Sequence, residues 1–174
     1  LSESVHQHRE SAPETVRVAV LTISDTRKPE TDTGGEVVEE SMRGAGHEVV
    51  AREIVRDEAA SIRTTLVDLL ARADVDAVVT TGGTGISARD TTYEVVDRMI
   101  EKKLDGFGEL FRMLSYEEIG AAAVLSRAVA GAVGTKLVAS LPGSRNAVGL
   151  AMEKLLVPEI AHIVFELRKH QEKG

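Results

Sequence analysis

Asp76–Ala77–Val78–Val79–Thr80–Thr81–Gly82–Gly83–Thr84–Gly85 is the stretch on which the fold turns. It opens on a short, uninterrupted run rich in β-branched residues, so a buried strand is expected over residues 76–79. Six small residues follow. Three glycines among them let the backbone turn sharply and approach a ligand closely. Their N–H groups, with the threonine hydroxyls, form a pocket suited to anionic oxygens. Arg89–Asp90 comes next, and Thr91–Thr92–Tyr93–Glu94 opens a helix in which Thr91 and Glu94 have capping-box spacing. With Thr91 as the cap, Asp90 has no structural task beside a phosphate-shaped loop. A carboxylate there repels a bare phosphate, so a metal ion is expected between them. A tight strand-to-helix connection accounts for the glycines equally well. The loop is not a Walker loop, since no Gly-Lys-Ser/Thr follows, and Ala88 fits only the loosest form of GxGxxG.

Working outward, residues 16–23 read as the first strand, closed by Ser24–Asp25–Thr26 and a polar loop over 28–34. A helix is expected over 36–43, a second strand over Glu48–Val55, and a second helix from Asp57–Glu58 to about Arg72. Beyond the glycine loop come a helix over 92–102, a turn at 105–108 and a helix from Glu109 to about Glu118. Residues 121–132 are small and apolar enough for helix, strand or buried loop. Lys136–Leu141 reads as a strand broken by Pro142–Gly143–Ser144, and a long apolar-periodic helix follows with a kink before Pro158. Strands alternating with helices predict an α/β fold, a three-layer sandwich around a mostly parallel sheet. Ligands of such sheets sit beyond the carboxyl ends of the strands, where strand order reverses. Ser24–Asp25, Asp57, the Gly82 loop and Pro142–Gly143 all fall at strand ends, so one shared rim is expected. Residues 1–15, polar with His6 and His8, read as a mobile tail, and 16–174 as a single domain.

Composition narrows the chemistry. A chain of 174 residues with 43% hydrophobic but only 3% aromatic residues has to build an aliphatic core. A net charge of −7 argues against nonspecific binding of nucleic acid or anionic membranes. An anionic ligand must then be held by local donors such as Arg89, or by a metal. Cysteine is absent, which removes disulfides, thiolate catalysis and cysteine metal sites and fits a reducing compartment. No apolar run approaches the roughly 20 residues that span a bilayer, and the first residues lack a secretory pattern, so a cytoplasmic protein is expected.

Each candidate site residue has a structural reading beside the functional one. Asp57 sits where it can cap the second helix. Asp57 and Asp90 on one rim beside a phosphate loop also suit Mg²⁺, which takes one or two carboxylates with waters and phosphate oxygens. Ser24–Asp25 can hydrogen-bond a ligand or close an Asx turn. Ser126–Arg127 offers a second anion contact or a surface turn. Pro142–Gly143–Ser144 offers backbone donors or a plain strand-to-helix turn. His47, His162 and His170 are scattered, and no Ser/His/Asp triad assembles.

Together the motifs resemble the MoaB/MogA family of molybdenum cofactor biosynthesis. The resemblance rests on Leu21–Thr22–Ile23–Ser24–Asp25–Thr26, on Thr80–Thr81–Gly82–Gly83–Thr84–Gly85 with Arg89–Asp90, on Gly106–Phe107–Gly108–Glu109–Leu110–Phe111–Arg112 and on Leu141–Pro142–Gly143–Ser144. It covers the chain from about Val16 onward, and Ser115–Tyr116–Glu117–Glu118–Ile119–Gly120 looks most like the MoaB branch. The resemblance implies a molybdopterin-binding fold and a molybdopterin adenylyltransferase, which joins AMP from MgATP to the terminal phosphate of molybdopterin and releases pyrophosphate. It implies functional roles for Asp57 and Asp90, a trimer or a dimer of trimers, and contact with other enzymes of the pathway. A noncatalytic molybdopterin-binding or scaffolding oligomer of the same fold is the alternative. One departure stands out: Tyr93 occupies a position where the family usually has proline. The transfer needs no general base, because the attacking phosphate oxygen is already anionic; alignment and charge neutralisation are what the protein must supply.

Overall fold

β1 (Arg17–Ile23) is buried from Val18 to Ile23, because both of its faces are covered. Its side chains alternate between two cores. Val18 and Val20 join Ala77, Val79, Leu137 and Ala139 on one face of the sheet, while Ala19, Leu21 and Ile23 join Val78 and Val138 on the other. The first core is closed by α1 (Thr33–Gly44) through Val38 and Met42, by α4 (Asp105–Ile119) through Phe107 and Phe111, and by the C-terminal helices. The second is closed by α2 (Ala59–Ala71) through Ile62, Leu66 and Leu69, and by α3 (Thr92–Met99) through Val96. The result is the expected α/β sandwich of three layers around an aliphatic interior. These elements come from a computed structural model that describes residues 12–169; His6, His8, His170 and most of the proposed tail lie outside them.

The sheet has the order β2-β1-β3-β6-β5-β4. β2 (Glu48–Val55), β1, β3 (Ala77–Thr81) and β6 (Lys136–Leu141) are parallel, and β5 (Val129–Val133) and β4 (Lys102–Lys103) extend the far edge in antiparallel pairs. β3 runs further than residues 76–79, because Thr80 and Thr81 pair with Ser140 and Leu141 of β6. Asp76 falls outside the strand. Its carboxylate accepts from the Arg17 N–H (2.8 Å), the Arg17 guanidinium (2.7 Å) and Arg168 at the C-terminal end of the last helix among the described residues (2.6 Å). Burial alone would raise this carboxyl; the hydrogen bonds from Arg17 and Arg168 outweigh it and lower it to about 2.

Two local expectations are corrected and two are made specific. The helix expected over 92–102 ends at Met99, and Lys102–Lys103 form β4. Residues 105–108 are the first turn of α4 and not a turn, because buried Phe107 and Phe111 stand four residues apart and anchor one helical face. Residues 121–132 divide into a 3₁₀ segment (Gly120–Leu125) and β5. The irregularity before Pro158 is a wide π turn (Met152–Leu156) between α5 (Arg145–Ala151) and α6 (Val157–Arg168), in which the Val157 N–H reaches back to the Met152 carbonyl. Among the described residues, no helix is long and apolar enough to cross a membrane.

Candidate functional site

β3 and β6 lie side by side and parallel, but the chain leaves them toward opposite faces: into α3 over the second core, and into α5 over the first. Such a divergence opens a crevice at the carboxyl ends of the strands. Here it measures about 720 Å³ and is walled by Gly82, Gly83, Thr84, Gly85 and Asp90 after β3, and by Pro142, Gly143 and Ser144 after β6. A third wall comes from Ser115, Glu118 and Ile119 of α4 with Leu125 and Ser126 beyond it. No motif reading had placed Ser115, Glu118, Ile119 or Leu125 at a site.

Packing dictates glycine at two loop positions. Gly82 has φ +92°, and a Cβ there would lie 2.3 Å from the Ile23 carbonyl oxygen. Gly83 has φ +63°, and its Cβ would lie 2.1 Å from Thr92 Oγ1 and 2.6 Å from Asp57 Oδ2. Alanine at either is strained whether or not a ligand binds, so the glycines alone do not decide between a tight turn and a phosphate site. The N–H groups say more. Gly82 donates to the Leu141 carbonyl (3.0 Å) and Thr92 to the Gly83 carbonyl (2.9 Å), whereas the N–H groups of Gly83, Thr84, Gly85 and Ile86 meet no acceptor among the described residues. A run of unpaired donors on consecutive peptides is the arrangement that binds anionic oxygens.

The two aspartates divide around this loop. Asp90 lines the crevice, and its Oδ2 accepts from the Ser87 N–H (3.0 Å) and hydroxyl (2.6 Å). It therefore does have a structural task, closing the 87–90 turn, while Oδ1 has no hydrogen-bond partner among the described residues. Asp57 is 8% exposed and does not line the crevice. It does not cap α2, whose N-cap is Glu58. Its Oδ1 instead accepts from the Thr91 N–H (3.1 Å) and hydroxyl (2.9 Å). Thr91 stands at the N-cap of α3 as expected, but its side chain does not cap the helix and the capping box with Glu94 is absent, because Asp57 takes the Thr91 hydroxyl and Arg127 takes Glu94.

The arginines are engaged within the protein. Arg89 donates to Asp25 Oδ2 at 3.0 and 2.8 Å, which holds the Asp25 carboxyl below the usual range. Arg127 donates to the carbonyls of Thr84 (2.8 Å) and Gly85 (2.6 Å) and to Glu94 (2.6 Å). Neither lines the crevice, although Ser126 does. Ser24 accepts from the N–H groups of Thr26 and Arg27, a local turn, and with Asp25 it faces a separate hollow beside β2. Thr81 is buried in β3, its hydroxyl 3.4 Å from that of Thr22. Ser144 caps α5 by accepting from the Ala147 N–H. The expected single rim thus splits: the glycine loop, Asp90, Ser126 and 142–144 share the crevice, while Ser24, Asp25, Asp57, Thr81, Arg89 and Arg127 surround or support it. Among the described residues no group of three or more His, Asp or Glu could hold a metal by itself.

Residues 19–162 match the family model described as a probable molybdopterin binding domain. A molybdenum cofactor biosynthesis protein B of Bacillus cereus is 50% identical over 167 residues, spanning 95% of this chain and 99% of its own. A crystal structure of a molybdenum cofactor biosynthesis protein B superposes with a TM-score of 0.89 at 51% identity, covering 91% of this chain and 99% of that one. The tungsten cofactor synthesizing protein MoaB from Pyrococcus furiosus superposes with a TM-score of 0.81 at 39% identity, covering 90% and 99%.

Proposed function

The chain belongs to the molybdopterin-binding-domain family, among the MoaB and MogA proteins of molybdenum cofactor biosynthesis, and from that premise we propose that it is a molybdopterin adenylyltransferase. A terminal phosphate oxygen of molybdopterin attacks the α-phosphorus of MgATP, the bond to the bridging oxygen breaks, and pyrophosphate leaves. The observation that carries this reading is the row of unpaired N–H groups from Gly83 to Ile86, of which Gly83, Thr84 and Gly85 line the crevice. Donors fixed in place before the ligand arrives stabilise phosphoryl charge without reorganising during the reaction. The crevice needs no histidine or cysteine, because its nucleophile arrives ionised and the remaining work is alignment.

Asp90 fits a Mg²⁺ brought in with the nucleotide: its carboxylate faces the crevice with Oδ1 free, and such an ion completes its shell with phosphate oxygens and water. The ion would supply charge neutralisation at the phosphates. Asp57 is not assigned to it, since it is buried and does not line the crevice; its part is to seat the end of the loop against β2.

One observation favours the noncatalytic pterin-binding reading. Arg89 and Arg127 are both bonded inside the protein, which leaves Arg145, 3.6 Å from Glu36, as the arginine on the crevice wall. Incubation with MgATP and molybdopterin, followed by detection of adenylylated pterin and pyrophosphate, separates the two: a scaffold retains pterin and forms neither product. The assembly we propose is a homo-oligomer. Leu110, Met113, Tyr116 and Ile119 are exposed apolar residues along α4, and Val124, 82% exposed, and Leu125 follow it.

A further inference from the structure

We propose that Arg127 is a positioning residue that sets the direction of the glycine-loop peptides, and that Tyr93 holds Arg127 in place. The guanidinium is occupied on every side. Nε donates to the Thr84 carbonyl at 2.8 Å, Nη2 to the Gly85 carbonyl at 2.6 Å, and Nη1 to Glu94 at 2.6 Å, while the Tyr93 ring centre lies 4.6 Å from Cζ. No fork remains for a substrate anion.

In a trans peptide the carbonyl and the following N–H point in opposite directions. Gripping the carbonyls of Thr84 and Gly85 therefore turns the N–H groups of Gly85 and Ile86 away from Arg127, and these are two of the four unpaired donors. Packing does not do this work, since residues 85–89 are all exposed. Lysine cannot replace the planar fork that spans two carbonyls and a carboxylate. Tyr93 stands where the resemblance leads one to expect proline, so the stacked ring is this chain's own means of steadying the guanidinium.

The test uses backbone order parameters of the ligand-free full chain, measured for wild type, Arg127→Ala, Arg127→Lys and, as a charge control, Arg63→Ala on α2. Gly85 and Ile86 are expected near 0.85 in wild type and the control, and below about 0.6 in both Arg127 variants. Millimolar guanidinium should restore order in Arg127→Ala but not in Arg127→Lys, and Tyr93→Phe should keep the loop ordered where Tyr93→Leu loosens it. Should the alanine variant not fold, the lysine variant decides. MgATP affinity by calorimetry is expected to fall about tenfold with the loss of order. An ordered loop in the Arg127 variants overturns the proposal, as does affinity lost while the loop stays ordered, which would make Arg127 a direct ligand contact. The ligand arm rests on the adenylyltransferase reading, and the two fail differently: a loosened loop with unchanged MgATP affinity upholds the strut and defeats the phosphate assignment.

Discussion

Asp57 Oδ1 accepts two hydrogen bonds from Thr91, one from the backbone N–H at 3.1 Å and one from the hydroxyl at 2.9 Å. This contact ties the carboxyl end of β2 to the start of α3, and the loop that walls the crevice is closed between them. Asp57→Ala leaves the half-buried Thr91 donors without their protein partner and is expected to cost about 1 kcal/mol. Thr91→Val should cost less in that background than in wild type, because paired residues are coupled. Denaturation of the four members of the cycle measures this; strictly additive costs would contradict the assignment.

Asp90 lines the crevice, and one carboxylate oxygen serves the fold through Ser87. Asn keeps an oxygen for Ser87 and loses the charge. Asp90→Asn should therefore melt within a few degrees of wild type while adenylyl transfer falls by about 10²-fold or more, the scale seen when a charge-stabilising group is removed. Turnover per folded molecule, measured beside a melting curve, checks both halves. Normal turnover would remove Asp90 from the chemistry.

The Asp76 clamp gives a pH signature far from the crevice. Its carboxyl is lowered from 3.8 to about 2 by Arg17 and Arg168 against the opposing effect of burial. A depressed carboxylate stabilises the fold fully above the unfolded value and loses that contribution as pH falls toward the folded one. The window is therefore about pH 4 down to pH 2, and the contribution is about 2 kcal/mol. Urea denaturation at pH 5 and pH 2.5 should show the gap between wild type and Asp76→Asn narrowing at the lower pH. A constant gap would contradict the clamp.

The exposed apolar residues of α4 and of the segment after it lead to a prediction about assembly. Tyr116, Val124 and Leu125 are more than half exposed, whereas Phe111 on the same helix as Tyr116 is wholly in the core. Closed symmetry is the usual outcome for such a surface. Light scattering at micromolar concentration should give a trimer or hexamer, and Val124→Asp with Met113→Asp should shift it toward monomer. A monomeric wild type would contradict the prediction.

Much of the architecture was legible because its signals are local. β1 and β6 announce themselves as short apolar runs and β2 as a stretch rich in β-branched residues, and the glycine loop and Pro142–Gly143–Ser144 mark the strand ends that form the crevice. The segment 121–132 was not legible: its small residues fit several structures, and pairing with β6 and β4 makes part of it a strand. Arginine roles were harder still. Arg89 finds Asp25 across 64 residues and Arg127 finds Glu94 across 33, and such partners are chosen by the folded chain and not by neighbouring sequence. The same holds for Asp57, which read as a helix cap until β2 brought it beside Thr91.

Label transfer is the most direct measurement. The chain is incubated with molybdopterin and MgATP carrying phosphorus label at the α position, and in parallel at the γ position, with Asp90→Asn as the comparison. The expected result is α label in a new pterin product, γ label in pyrophosphate, and little of either from the variant. Pterin that binds stoichiometrically while all label stays in ATP would contradict adenylyl transfer and leave a binding protein in its place.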